Sequence, residues 1–161
     1  MIVPFDQLPS SSRLWIYPSN RSFTNDEIPK LYTALTGFLD QWTAHNRTLE
    51  TAFEIRYNRF IVIGVNQEKE QASGCSIDAS VHFIQQLEKH FNVVLLDKMN
   101  VDYWSGEEIH HISLNDFKAM AKAKNVSKNT MVFNHLVATK EEYNNAWELE
   151  AHASWHQRFF Q

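Results

Sequence analysis

A single cysteine, Cys75, lies in the stretch QASGCSIDASVH at residues 71–82, where the pattern predicts the start of a helix. The positive end of a helix lowers the pKa of a thiol and makes it more nucleophilic. His82 follows seven residues later, roughly 10 Å along a helix, which is too far for a base that must contact the sulfur. A catalytic Cys75 therefore needs a distant histidine, and we select His156 near the C-terminus.

The loop around Cys75 is a broader candidate than its sulfur. Gly74 permits close approach of the backbone, and Ser73 and Ser76 can cap a helix or donate hydrogen bonds. Free N–H groups at the start of a helix bind phosphate or carboxylate. The sequence therefore predicts a small-anion or nucleotide-like ligand site formed by Ser73, Gly74, Cys75, Ser76 and Asp78.

The C-terminal stretch ELEAHASWHQRFF places His152 and His156 four residues apart. On a helix they would share a face and could chelate a metal together with Glu148. Four apolar residues are also spaced four apart, and they indicate a packing stripe instead: Trp147, Ala151, Trp155 and Phe159. We therefore predict no metal there, and His156 remains the better functional candidate.

Histidines and carboxylates also meet in the stretch DYWSGEEIHH at residues 102–111. Such side chains bind metals, but no recognised ligand spacing is present. We interpret the stretch as a solvated loop before a helix. His135 falls on the apolar side of a predicted strand, and we interpret it as a hydrogen-bonded core histidine.

Composition and charge exclude several classes of protein. The formal net charge is −4, whereas a sequence-independent nucleic-acid binder needs a basic surface. No apolar stretch approaches the ~20 residues of a membrane span, and the N-terminus lacks the pattern of a signal peptide. A lone cysteine cannot form an internal disulfide, so we expect a cytoplasmic protein. No P-loop, nucleophile elbow, zinc-protease motif or dinucleotide fingerprint occurs, and no cofactor is predicted.

The order of elements predicts an α+β fold. Strand-forming residues at 13–18 precede a helix with apolar residues at helical spacing, and two strands at 51–57 and 60–65 form a hairpin around Asn58. A second helix from Ile77 and a strand at 92–97 complete a ferredoxin-like βαββαβ core, with the 51–57 strand at an edge. Helix, strand and helix then form a C-terminal α-β-α extension, in which Ser113 can cap the first helix. We predict one domain over residues 1–161, with the core at 13–97 and the extension at 98–161.

The chain resembles a family of small uncharacterised bacterial proteins of similar length. The resemblance lies in SGCSID after the YNRFIVIGV strand, in SWHQRFF near the C-terminus, and in VPFDQLP and RLWIY near the N-terminus. Members of that family often carry the label ABC transporter ATPase, but the nucleotide-binding motifs of those ATPases are absent here. The resemblance implies a compact soluble protein and supplies no catalytic residue.

These observations favour a binding or interaction module, with the helix-start loop as its ligand site and a small anion or a protein as its partner. One alternative is a cysteine-dependent enzyme that uses Cys75 with a C-terminal histidine, His156. Another is a scaffold protein with no small-molecule site, in which Cys75 is a small packing residue.

Overall fold

Two units account for residues 1–161, all of which the computed structural model describes. The first contains Met1–Leu96 and Ala138–Glu141, and the second contains Asp97–Val137 and Glu142–Gln161. Each combines helices with an antiparallel sheet, which confirms the α+β class. The single-domain organisation stays a prediction.

The first unit contains a three-stranded antiparallel sheet in the order β1-β5-β4. Its elements, in chain order, are β1 at Arg13–Pro18, α1 at Glu27–Asp40, β2 at Thr43–Ala44, β3 at Arg47–Thr48, β4 at Thr51–Arg56, β5 at Phe60–Val65 and α2 at Gly74–Phe91, after a 3-10 turn at Phe5–Gln7. The strand β4 lies at an edge, as predicted. All six residues of β5 are buried, as its continuous apolar run requires of a central strand.

Local sequence explains the turns and the core of this unit. Tyr57 and Asn58 have φ of 53° and 56°, as in a type I′ turn, and Arg59 N–H donates to Arg56 C=O at 3.1 Å. One face of each helix covers the sheet, because apolar residues recur every three or four positions. The core is formed by Leu31, Leu35 and Leu39 of α1, Ile61, Ile63 and Val65 of β5, and Ile84, Leu87 and Phe91 of α2.

The strand predicted at residues 92–97 is wrong, and the full ferredoxin-like βαββαβ arrangement is not confirmed. Asn92 ends α2 in the left-handed conformation, with φ of 53°. The Glu88 carboxylate then accepts hydrogen bonds from the N–H groups of Leu95 and Leu96, at 2.7 and 3.2 Å. Because a side chain satisfies these backbone donors, the segment packs its apolar residues without joining the sheet.

The second unit contains a four-stranded antiparallel sheet in the order β7-β6-β8-β9. Its elements are β6 at Asn100–Ser105, β7 at Glu108–Ser113, α3 at Leu114–Lys122, β8 at Met131–Phe133, α4 at Lys140–Ala146, which begins in the first unit, and β9 at Glu148–Glu150. The predicted order of helix, strand and helix is therefore present. Ser113 caps α3 as predicted, since its hydroxyl accepts from Asp116 N–H at 3.0 Å.

Two predictions for this unit are wrong. The stretch at 102–111, expected to be a loop, forms the β6–β7 hairpin, which turns at Gly106 with φ of 64°. The C-terminal stretch is not an α-helix: β9 is followed by 3-10 helices at Ala151–Ala153 and Trp155–Phe160. A 3-10 helix has three residues per turn, so residues four apart do not share a face. His152 instead pairs with Glu150.

Substitution of Gly64 by alanine should destabilise the first unit by about 1–3 kcal/mol, because a Cβ there overpacks the core. That atom would lie 2.6 Å from Leu8 Cδ1 and 2.8 Å from Leu14 Cδ2, both in buried side chains. Gly37→Ala is the matched control: nothing lies within 4 Å of its Cβ position in α1, so it should stabilise by about 0.5–1 kcal/mol. Urea unfolding measures the stability of both variants. Equal changes in stability would contradict overpacking at Gly64.

Candidate functional site

A concavity of about 720 Å³ opens in the first unit beside the start of α2. Four of the five residues predicted to bind a ligand line it: Ser73, Gly74, Cys75 and Ser76. The fifth, Asp78, is exposed on the first turns of α2 and does not line it. The other lining residues come from the end of α1, from the β2–β3 hairpin and from α2: Gly37, Phe38, Gln41, Trp42, Thr43, His45, Asn46 and Ala79.

An aromatic wall on the α1 side is held rigidly. Trp42 is 3% exposed, and its indole N–H donates to the C=O of Ser76 at 2.8 Å. Phe38 stacks on Phe83 of α2 with ring centroids 4.4 Å apart, and it also contacts Trp42 at 5.6 Å. The wall therefore presents ring surfaces in fixed positions, which suits a flat apolar group.

The opposite wall is the start of α2, which is closed by a reciprocal capping box. Ser76 N–H donates to Ser73 Oγ at 3.1 Å, and Ser73 N–H donates to Ser76 Oγ at 2.7 Å. These bonds satisfy two of the donors that the anion prediction relied on. The N–H groups of Gly74 and Cys75 have no protein partner and remain for a ligand.

The lining contains no Lys, Arg, Asp or Glu, and its titratable residues are His45 and Cys75. Cys75 is exposed. His45 and Asn46 form the two-residue turn of the β2–β3 hairpin, with φ of 52° and 63°. Sequence reasoning missed His45, because nothing in its spacing from Cys75 indicates that the hairpin and α2 border one concavity.

His156, the predicted base, lies in the second unit and is 0% exposed. Its Nδ1 bonds to Ser154 Oγ at 2.7 Å, its Nε2 is buried without a partner, and its ring stacks on Trp155. Burial, with smaller contributions from the positive charges of His135 and Arg158, lowers the pKa of His156 to about 3. The ring is therefore neutral and closed to solvent at physiological pH, and its pairing with Cys75 stays a prediction.

A second cluster of polar side chains surrounds Asp102 in β6, which is 1% exposed. Its two carboxylate oxygens accept hydrogen bonds from His111 Nδ1 and His135 Nε2, each at 2.7 Å. His135 Nδ1 in turn accepts from the indole N–H of Trp147 at 3.2 Å. Burial raises the pKa of Asp102, but the hydrogen bonds and charges of the two histidines outweigh it, and the pKa lies below its ordinary value.

Sequence reasoning missed Asp102 and His111 as a pair. They are direct cross-strand partners in the β6–β7 hairpin, and the signal that could have found them is Gly106 between two runs of strand-forming residues. His135 is hydrogen-bonded, as predicted, but it lies beyond the end of β8 at Phe133 and its side chain is 19% exposed, so it is not a core residue on a strand. No group of three or more His, Cys, Asp or Glu side chains is arranged to hold a metal ion.

Comparison with known proteins finds no match to this chain among protein-family models, curated proteins or solved structures. The resemblance to the family of small bacterial proteins therefore stays a prediction. None of the helices combines the length and the apolar character needed to cross a bilayer.

Replacement of His156 should make the stability of the protein less sensitive to acid. The unfolded chain binds a proton at this residue with an ordinary pKa of 6.5, whereas the folded chain does so only at about 3. The unfolded state binds more protons within this interval, so the free energy of unfolding falls as the pH drops through it, by up to about 5 kcal/mol. We expect the unfolding free energy of His156→Leu to depend less on pH than that of the native chain. Urea unfolding between pH 6.5 and 4.5 measures this dependence, and the range ends at the ordinary pKa of Glu27.

The matched control is His82→Leu, which removes an exposed histidine from α2 and should leave the pH dependence unchanged. A His156→Leu variant whose unfolding free energy depends on pH as steeply as that of the native chain would show that His156 is not held neutral.

Proposed function

We propose that the protein is a binding module for a small organic molecule and that the concavity at the start of α2 is its site. The observation that carries this proposal is the concavity itself, which joins four residues of the predicted ligand loop to a fixed aromatic wall. Pockets of this size with a mainly apolar lining and a few polar groups are typical of small-molecule sites.

The lining selects the chemistry of the ligand. Phe38 and Trp42 offer ring surfaces, and the N–H groups of Gly74 and Cys75 offer donors to one carboxylate or carbonyl oxygen. A polyphosphate needs Lys or Arg to balance its charge, and neither lines the concavity. A small aromatic carboxylate therefore fits this lining better than the nucleotide-like ligand predicted from the sequence.

The single thiol provides the test. Cys75 lines the concavity and is exposed, so a bound ligand should shield it from a thiol reagent. We expect a panel of aromatic carboxylates to contain a compound that slows the modification of Cys75 about tenfold at about 90% occupancy of the site, and further as the site saturates. Aliphatic carboxylates and nucleotides are the matched comparisons. If no compound protects the thiol or binds by calorimetry, the interpretation as a scaffold without a small-molecule site replaces this one.

Filling the concavity should abolish that protection. Ala79 lines it and is exposed, so Ala79→Phe adds a ring inside the site without disturbing the core. Gln85→Phe, on an exposed position of the same helix outside the concavity, is the matched control. We expect ligand affinity to fall at least about tenfold in Ala79→Phe and to be unchanged in Gln85→Phe. Equal affinity in both variants would place the ligand elsewhere.

The second candidate is thiol chemistry, favoured by the presence of His45 and Cys75 in one concavity. A histidine that takes the thiol proton activates a cysteine nucleophile. We propose His45 as the partner that the predicted enzyme requires, since His156 is closed to solvent. In this case His45→Gln should lower the rate of Cys75 alkylation at neutral pH about tenfold, whereas His82→Gln should leave it unchanged. An unchanged rate in both variants would contradict the activation of Cys75 by His45. Ligand binding would then be the only remaining proposal.

A further inference from the structure

The hydrogen bonds of His135 determine where its proton lies. The indole of Trp147 can only donate, so His135 Nδ1 must accept from it and carry no proton. His135 Nε2 therefore carries the proton and donates it to Asp102. A proton on Nδ1 would set two donors against each other, so the two hydrogen bonds select this tautomer.

His111 has the opposite arrangement. Its Nδ1 donates to the other oxygen of Asp102, which leaves the lone pair on Nε2. No protein group bonds to that Nε2. The fully buried side-chain nitrogens and oxygens without a partner all belong to other residues, so this Nε2 is open to solvent. The side chain is 12% exposed and lies on β7, an edge strand of the second sheet.

We propose that His111 is the reactive residue of a second site, acting through Nε2 as nucleophile and proton acceptor toward acyl electrophiles, with Asp102 as its positioning residue. A carboxylate that holds Nδ1–H fixes the tautomer and the orientation of an imidazole and stabilises the imidazolium that forms. The second carboxylate oxygen is occupied by His135, so Asp102 cannot rotate away from His111 without breaking a further hydrogen bond.

The step is an acyl transfer. The Nε2 lone pair attacks the carbonyl carbon, an N–C bond forms, and the C–O bond to the leaving group breaks with its electron pair on oxygen. The proton on Nδ1 stays in its hydrogen bond to Asp102, and that oxygen takes a proton from water. Water then attacks the acyl carbon, the N–C bond breaks with its electron pair on Nε2, and the proton that the attacking water loses neutralises the hydroxide left by the first proton transfer.

Two carboxylates lie near His111. Asp102 faces it from β6, and Asp97 lies in the segment before β6, where the N–H of Met99, the side chain of Asn100 and, least of all, the charge of His111 lower the pKa of Asp97. Both carboxylates are negative at neutral pH, so they stabilise the positive charge that an attack by Nε2 creates on the imidazole.

Imidazole nitrogen NMR on the full chain tests the tautomers directly. We expect His111 to carry its proton on Nδ1 and His135 to carry its proton on Nε2. Asp102→Asn presents an amide N–H to His111, which should move the His111 proton to Nε2. A His111 proton already on Nε2 in the native chain would overturn the proposal.

Acylation by diethyl pyrocarbonate, followed by peptide mass spectrometry, tests the reactivity. Native His111 should react at least about tenfold faster than exposed His82, and Asp102→Asn should remove that advantage while His82 reacts as before. Hydroxylamine should reverse the acylation. A His111 that reacts no faster than His82 would overturn the proposal.

Trp147→Phe keeps the proposal testable if Asp102→Asn does not fold. It leaves Asp102 in place, so His111 should keep its proton on Nδ1 and its rate of acylation. Loss of either would contradict the role of Asp102 as the positioning residue.

Discussion

One hydrogen bond, from the buried indole of Trp42 to the C=O of Ser76, holds both walls of the concavity in place. A buried indole N–H left without its acceptor costs about 1–3 kcal/mol, so this bond constrains the two walls strongly. Ser76 also gives its N–H and hydroxyl to the capping box with Ser73. Hydrogen bonds with Trp42 and with Ser73 therefore both hold the start of α2. The two N–H groups without a partner, at Gly74 and Cys75, are held in place with it.

The first unit also depends on a segment that arrives late in the chain. Lys140 is 9% exposed, and its ammonium group donates to the C=O groups of Phe5, Asp6 and Leu8, at 3.0, 3.2 and 2.7 Å. Main-chain bonds from Leu14 N–H to Ala138 C=O and from Lys140 N–H to Ser12 C=O add to this attachment. A buried ammonium needs such partners because water no longer solvates it. The chain therefore leaves the first unit after Leu96 and returns to it at Ala138–Glu141.

Local signals in the sequence predicted much of this architecture. The edge strand β4, the central strand β5, the turn at Asn58 and the cap at Ser113 follow from alternation, turn chemistry and capping. The failures have another origin. Residues 92–97 have the composition of a strand, but the Glu88 carboxylate takes their backbone donors. The C-terminal stretch has helical spacing but winds as a 3-10 helix, because strand β9 and an extended Ser154 interrupt it. His45 lacked any local signal of its partner, whereas the turn at Gly106 was a signal for the pair Asp102 and His111.

Three histidines of the second unit show how environment assigns different chemistry to one residue type. His156 has one nitrogen bonded to Ser154 and the other buried, so charging it would place an unpaired cation in an apolar site. His135 has a donor on one side and a carboxylate on the other, so its tautomer is fixed. His111 shares that carboxylate but has its second nitrogen open to solvent. Only the last arrangement allows a proton or an acyl group to arrive from solvent while the positive charge is balanced from within.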